Sequence, residues 1–309
     1  MRNEKIPSEF DGLKLEVTIA TPVEIPKGII QFSHGMAEHK ERYFDFMNYL
    51  TNHGYVCVIH DHRGHGESVE MEDDYGFFYT ENEQAIIDDL YTVTKYIKNE
   101  YPGIPLYLFS HSMGTLVARG FLKRYDTEIE KIVLCGPPTY NAAAGLGLFM
   151  AKLSKPFFNE KAPNKMLNAM AFSGFNSGNT IPNGWLSENQ TNVVQYNKDP
   201  KCGFTFTTNG FINLFKLQKA AFDKSNWLVN NPRLPILVIA GEEDPVIRSR
   251  KRFEQLIAFL SELGYTNISS KLYEHMRHEI LNEEKKLDVY KDILLFYDEF
   301  QHTTSYSQV

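Results

Sequence analysis

Short apolar runs alternate with longer amphipathic stretches along most of this chain. The apolar runs are almost unbroken, which is typical of strands that are covered on both faces of a parallel sheet. They predict strands at Gly28–Ser33, Tyr55–Ile59, Leu106–Phe109, Ile132–Cys135, Ile236–Ala240 and Ser269–Tyr273.

The longer stretches repeat their apolar residues every three or four positions, as amphipathic helices do. Helices are predicted at Arg42–His53, Glu81–Tyr101, Met113–Tyr125, Lys251–Leu263 and Glu283–Gln301. Strands that alternate with helices in this way form a parallel sheet with crossover helices. The predicted fold class is therefore α/β, with a mostly parallel sheet flanked by helices.

The alternation stops between Pro137 and Asn226. This stretch is rich in Asn, Gly, Phe and Met, and it contains helical fragments but no strand pattern. The alternation of strand and helix resumes near Leu234. We therefore interpret residues 137–226 as a mainly helical insertion between two parts of one core domain, residues 1–136 and 227–309.

Composition narrows the class of protein. Of the 309 residues, 42% are hydrophobic and 23% are charged, as in globular domains with a large core. The net charge of −7 gives no electrostatic reason to expect a nucleic-acid partner. No signal peptide and no membrane span of about 20 apolar residues is expected. The three cysteines form no CxxC pair, so we expect a reduced, cytoplasmic protein.

The segment Ser110–Gly114 lies between a predicted strand and a predicted helix. Small residues two positions before and after Ser112 allow a tight turn that exposes the Ser112 hydroxyl, as in a nucleophile elbow. Ser110 stands where the commonest form of this motif has glycine. Ser112 is therefore the predicted nucleophile.

A serine nucleophile needs a base and an acid that orients the base. In this arrangement the acid and then the base follow the serine along the chain. Asp244 comes just after the strand Ile236–Ala240, and both His275 and His278 follow the last predicted strand. All three positions lie beyond the carboxyl ends of strands, where ligands bind in open α/β sheets.

Two backbone N–H groups are needed to hold the oxyanion of an acyl-transfer reaction. The residue after the nucleophile, Met113, supplies one, and the loop after Gly28–Ser33 can supply the other through the Met36 amide. Such a site requires no cofactor and no metal. The segment Asp61–Ser68 contains His62 and His65, but its glycines indicate a tight loop rather than a metal site.

Four motifs together resemble the monoacylglycerol lipase and bacterial lysophospholipase family of α/β-hydrolases. They are His34–His39 with Arg42-Tyr43, Asp61–Ser68, Ser110–Gly114, and Arg277-His278-Glu279 with Asn282-Glu283. The resemblance extends from Gly28 to Glu283. It implies a catalytic triad of Ser112, Asp244 and His278, an oxyanion hole of the Met36 and Met113 amides, and a cap formed by the insertion.

These observations predict a serine hydrolase that cleaves carboxylic esters through an acyl-enzyme, with monoacylglycerols or lysophospholipids as substrates. Ala142–Phe149 is small and apolar, so it is predicted to admit an acyl chain or touch a membrane surface; the alternative is that it only packs on the core. A peptidase, thioesterase or acyl transferase could use the same triad. A non-catalytic ligand-binding protein is the remaining alternative, and the intact triad argues against it.

Overall fold

The structure, a computed structural model, describes residues 1–157 and 159–299. Its described part contains an eight-stranded sheet in the spatial order β1-β2-β4-β3-β5-β6-β7-β8. The strands are β1 Arg2–Pro7, β2 Lys14–Ala20, β3 Gly28–Ser33, β4 Tyr55–His60, β5 Leu106–His111, β6 Lys131–Cys135, β7 Ile236–Gly241 and β8 Ile268–Tyr273. Strands β3 to β8 are mutually parallel, whereas β1 and β2 form an antiparallel edge.

Helices cover both faces of this sheet. The core helices are α1 Phe44–Asn52, α2 Gln84–Glu100, α3 Met113–Tyr125, α8 Arg250–Leu263 and α9 Lys286–Asp298. Helices α1 and α9 pack on one face, and α2, α3 and α8 pack on the other. This arrangement confirms the predicted α/β class.

The unbroken hydrophobicity of the central strands follows from this double cover. Every residue of β3, β4, β6 and β7 is buried. Because neighbouring side chains in a strand point to opposite faces, Ile29 joins one hydrophobic cluster while Ile30 and Phe32 join the other.

The sequence pattern did not predict the antiparallel edge of the sheet. In β1 only Ile6 is buried, so Arg2–Pro7 has no apolar period that would mark it as a strand. The predicted helix at Arg42–His53 is also shorter in the structure, because a 3₁₀ turn at Lys40–Tyr43 precedes α1. Helix α9 ends at Asp298, and the predicted end at Gln301 lies outside the described residues.

In the described part of the segment between β6 and β7 there are four α-helices: α4 Ala144–Ser154, α5 Lys165–Phe172, α6 Gln190–Lys198 and α7 Thr208–Ala220. In α4 the small residues face inward, and a Cβ on Gly147 would lie 2.8 Å from the ring of Phe215 on α7. The opposite face of α4 exposes Leu146, Phe149 and Leu153. Among the described residues, no helix combines the length and apolar character needed to cross a bilayer.

Candidate active site

Ser112 lies at the sharp turn between β5 and α3, with φ of 50° and ψ of −121°. A Cβ at Gly114 would lie 2.1 Å from the carbonyl oxygen of Ser33, so only glycine fits two residues after the serine. Two residues before it, the hydroxyl of Ser110 donates a 2.9 Å hydrogen bond to the carbonyl of Val133 on β6. This bond explains why serine is accommodated where the motif usually has glycine.

Asp244 and His278 meet at the same edge of the sheet. Asp244 follows β7, and its Oδ2 lies 2.9 Å from Nδ1 of His278. Both residues are only 3% exposed. The second carboxylate oxygen of Asp244 accepts a 2.8 Å hydrogen bond from the amide of Val246, which fixes the orientation of the carboxylate.

The two histidines that follow β8 have very different surroundings. The side chain of His275 is 85% exposed and faces Glu243 at 3.6 Å. His278 instead contacts Asp244 and lines a cavity together with Ser112. Within the described residues no hydrogen bond joins Ser112 to His278.

The amides of Met36 and Met113 border this cavity beside Ser112. Neither amide donates a hydrogen bond to another described group, whereas the neighbouring amides of Gly35 and Ala37 donate to Glu38 and His65. The two free amides are therefore available to an oxyanion.

Ala37 holds the loop of Met36 in a strained conformation. Its φ of 52° lies in the left-handed region, which is unfavourable for a residue with a Cβ. The carbonyl of Ala37 accepts hydrogen bonds of 2.9 Å from the hydroxyl of Tyr196 and from the amide of Gly203. Both donors belong to the insertion, so the insertion takes part in fixing the conformation of this loop.

A buried charge network supports the loop from behind. Arg42 lies 3.3 Å from Glu38 and 2.5 Å from Glu279. Burial alone would raise the pKa of Glu38, but the hydrogen bond and charge of His111 and the charge of Arg42 hold this pKa far below its usual range. Burial lowers the pKa of His111, but the hydrogen bond and charge of Glu38 outweigh burial and raise it. His111 Nε2 also lies 3.2 Å from the carbonyl of His278, so the network reaches this histidine.

The segment Asp61–Ser68 forms a tight structural loop. Both carboxylate oxygens of Asp61 are engaged, because they accept hydrogen bonds from Lys40 and from the amide of Glu67. Arg63 pairs with the two carboxylates of Asp11 and Asp89 at 2.9 and 2.7 Å, in line with the tight loop that the sequence predicts.

Another group of metal-ligand side chains lies where the insertion meets the Met36 loop. The ligand atoms of His39, Asp199 and Cys202 all lie within 4.8 Å of one another. His39 already hydrogen-bonds Asp199 at 2.9 Å, and the positive charge of Arg42 acts on Asp199 as well. A neighbouring cation opposes metal binding, so these contacts are best explained as part of the joint between insertion and core.

The cavity in front of Ser112 has a volume of about 230 Å³ and is lined mainly by the insertion. The insertion side chains Trp185, Tyr196, Phe204 and Phe215 border the cavity, whereas Phe206 and Phe211 do not. No residue of α4 borders it, Leu148 and Phe149 included.

The family described as serine aminopeptidase, S33, matches residues 24–285 of this chain. The chain belongs to this family. Together with the fold, this membership makes the protein a serine hydrolase of the α/β-hydrolase type.

The chain is also similar to individual relatives and to a solved structure. The chain is 24% identical to a monoacylglycerol lipase from Mycolicibacterium smegmatis, over 94% of this chain and 95% of that protein. It is 26% identical to a monoglyceride lipase from Homo sapiens, over 88% of this chain and 83% of that protein. A carboxyl esterase from Bacillus coagulans has the same fold, with a TM-score of 0.86 at 24% identity over 96% of this chain and 97% of its own.

Proposed function

We propose that this protein hydrolyses the carboxylic ester of monoacyl lipids through an acyl-enzyme at Ser112. The observation that carries the proposal is the arrangement at the strand ends. Ser112 faces a cavity that is also lined by His278, which Asp244 contacts from behind, and by Met36 and Met113 with their free backbone amides.

In this mechanism His278 removes the proton from Ser112 as the serine oxygen attacks the ester carbonyl. The Met36 and Met113 amides donate to the oxyanion, and Asp244 holds His278 in the required tautomer and stabilises its protonated form. His278 then protonates the leaving alcohol. Water, activated by the same histidine, finally hydrolyses the acyl-enzyme.

The walls of the cavity support a lipid substrate. They include the insertion side chains Phe172, Phe175, Trp185, Leu214 and Phe215, which offer apolar surface to an acyl chain. We propose that residues 137–226 act as a cap over the site. The exposed apolar residues of α4, together with Lys152 and Lys155, would then make transient contact with a membrane surface.

The family description names aminopeptidases, so an amide substrate is the second candidate. An aminopeptidase needs a carboxylate that can bind the substrate's α-amine. The two carboxylates that line the cavity, Glu38 and Glu279, are both paired with Arg42. Neither is available to a free amine, which favours the ester.

A fluorophosphonate probe tests the proposal. Intact-protein mass spectrometry should show one adduct, and Ser112→Ala should abolish both the adduct and the hydrolysis of monoacyl lipids. Ser110→Ala is the matched control, because it leaves the nucleophile in place. Labelling that survives in Ser112→Ala would assign the nucleophile to another residue.

A further inference from the structure

Arg248 differs from the other charged side chains at the cavity. Within the described residues its guanidinium forms no ion pair and no hydrogen bond, although it lines the cavity. The other acidic and basic side chains of the lining all have partners, namely Glu38, His111, His278 and Glu279. A guanidinium with free N–H donors at a substrate cavity is suited to an anionic group.

The backbone of Arg248 is strained. Its φ of 64° lies in the left-handed region, which is unfavourable for arginine. The turn is fixed on both sides, because the Arg248 amide donates to Pro245 at 3.2 Å and the carbonyl of buried Ile247 accepts from Thr139 at 3.3 Å. Strain of this kind is concentrated at functional sites. The loop that carries Asp244 thus also carries Arg248.

Three more cationic residues lie within four positions after Arg248. Arg250, Lys251 and Arg252 come next along the chain, in a protein whose net charge is −7. Only Arg250 of these three has an ion pair among the described residues, with Glu242 at 2.8 Å. Arg248 and these three residues therefore form a run of four cations, in which only Arg250 is paired with a carboxylate of the described part of the chain.

We propose that Arg248 selects monoacyl substrates whose head group carries a phosphate over neutral monoacylglycerols. The inference rests on ester hydrolysis at Ser112 and chooses between the two lipid classes that the sequence leaves open. Arginine binds a phosphate through two parallel hydrogen bonds. In a monoacyl glycerophospholipid the phosphate is only a few bonds from the ester, so both groups reach the same cavity.

The test compares lauroyl glycerol with lauroyl glycerol phosphate, both as monomers at low salt. We expect wild-type protein to cleave the phosphate-bearing lipid with the higher kcat/KM. Arg248→Gln should lower kcat/KM for this lipid about tenfold and change that for the neutral lipid less than about twofold. Arg248→Lys keeps the charge and should retain most of the preference.

Two further variants separate recognition from structure. Arg252→Gln removes a cation of the same run that does not line the cavity, so the lipid preference should persist. Arg248→Gly removes the side chain and relieves the strained φ, so it should lose the preference without lowering the thermal midpoint.

Three results would overturn the proposal: equal kcat/KM for both lipids in wild-type protein, equal losses in Arg248→Gln and Arg252→Gln, or a variant that changes only inhibition by inorganic phosphate. The last result would mean a site for a free anion. Failure of the proposed function would look different, because wild-type protein would then cleave neither lipid, and both proposals would fall.

Discussion

The loops at the strand ends and the outer surface of the insertion place their side chains in opposite ways. In the loops, charged groups are buried, as Glu38, Arg42 and Glu279 are, and each is matched by a partner. On the outer insertion, large apolar groups are exposed, with Phe149 at 61% and Phe157 at 80%. Each arrangement is unfavourable unless something compensates it: a partner for the buried charge, and an apolar contact for the exposed side chain.

This contrast suits two different roles: the loops position the catalytic groups, and the insertion contacts the substrate. The buried charges of Glu38, Arg42 and Glu279 compensate one another within the protein, so they hold the loops around the reacting groups in fixed positions. The apolar surface has no such partner among the described residues. We propose that a lipid surface supplies this contact, since such a surface fits the proposed substrate.

The largest expected effect is a loss of kcat on substitution in the loops at the strand ends. His278→Ala should lower kcat by about a thousandfold or more, because it removes the group that accepts the proton of Ser112. His275→Ala changes an exposed residue and should stay within about tenfold of wild type. Ester hydrolysis under single-turnover conditions measures both. A reversed pattern would move the base to His275 and break the link between burial and chemistry.

Acid should lower the stability of the fold through buried histidines at the end of β4 and in the loop that follows it. Burial, with the charge of His34, lowers the pKa of His60 and of His65 to about 3. An unfolded histidine has a pKa of about 6.5, so below that pH the unfolded chain takes up protons that the folded chain does not. The free energy of unfolding should therefore fall between about pH 6.5 and 3, by several kcal/mol for the two residues together.

His60→Phe isolates one part of this effect. Both ring nitrogens of His60 lack a hydrogen-bond partner among the described residues, so phenylalanine loses no bond. Denaturant unfolding at pH 7 and pH 4.5 should show a smaller drop for His60→Phe than for wild type. His275→Asn, on the exposed loop, should keep the wild-type drop. Equal drops in all three proteins would mean that His60 is protonated in the folded state.

Substitutions in the insertion are expected to change kcat/KM less. Those on its inner face should alter acyl-chain selection, and those on its outer face should alter vesicle binding. Each methylene of an acyl chain buried in the cavity contributes up to about 0.8 kcal/mol, or about a fourfold gain in kcat/KM, until the cavity is full. Leu214→Asp, in the cavity wall, should flatten this gain while sparing acetate esters. Phe149→Asp, on the exposed face of α4, should keep the gain on monomeric esters and weaken binding to lipid vesicles.

Measured kcat/KM against acyl length and vesicle sedimentation separate the two faces. If Phe149→Asp flattens the gain, α4 closes over the acyl chain and the outer surface is part of the cavity. If neither variant changes the gain, the insertion does not select the acyl chain.

The sequence predicted most of the sheet because its central strands are buried on both faces, which leaves an apolar run for each. It also placed Ser112, Asp244 and His278 beyond strand ends, and in the structure Ser112 and His278 line one cavity while Asp244 contacts His278. β1 was missed because it is an exposed edge with a single buried residue, Ile6. Long-range pairing leaves no local pattern. The bond between Arg42 and Glu279 joins residues 237 positions apart and could be found only in three dimensions.

The two hydrogen bonds on the carbonyl of Ala37 divide the insertion into two parts that we expect to evolve at different rates. Tyr196 and Gly203 bind the loop of the Met36 amide, so a substitution near them alters the reaction itself. Helices α4 and α5 have no such bond to that loop among the described residues. We therefore expect α4 and α5 to diverge quickly when a descendant adopts a new lipid, and the segment from Tyr196 to Gly203 to diverge slowly whatever the lipid is.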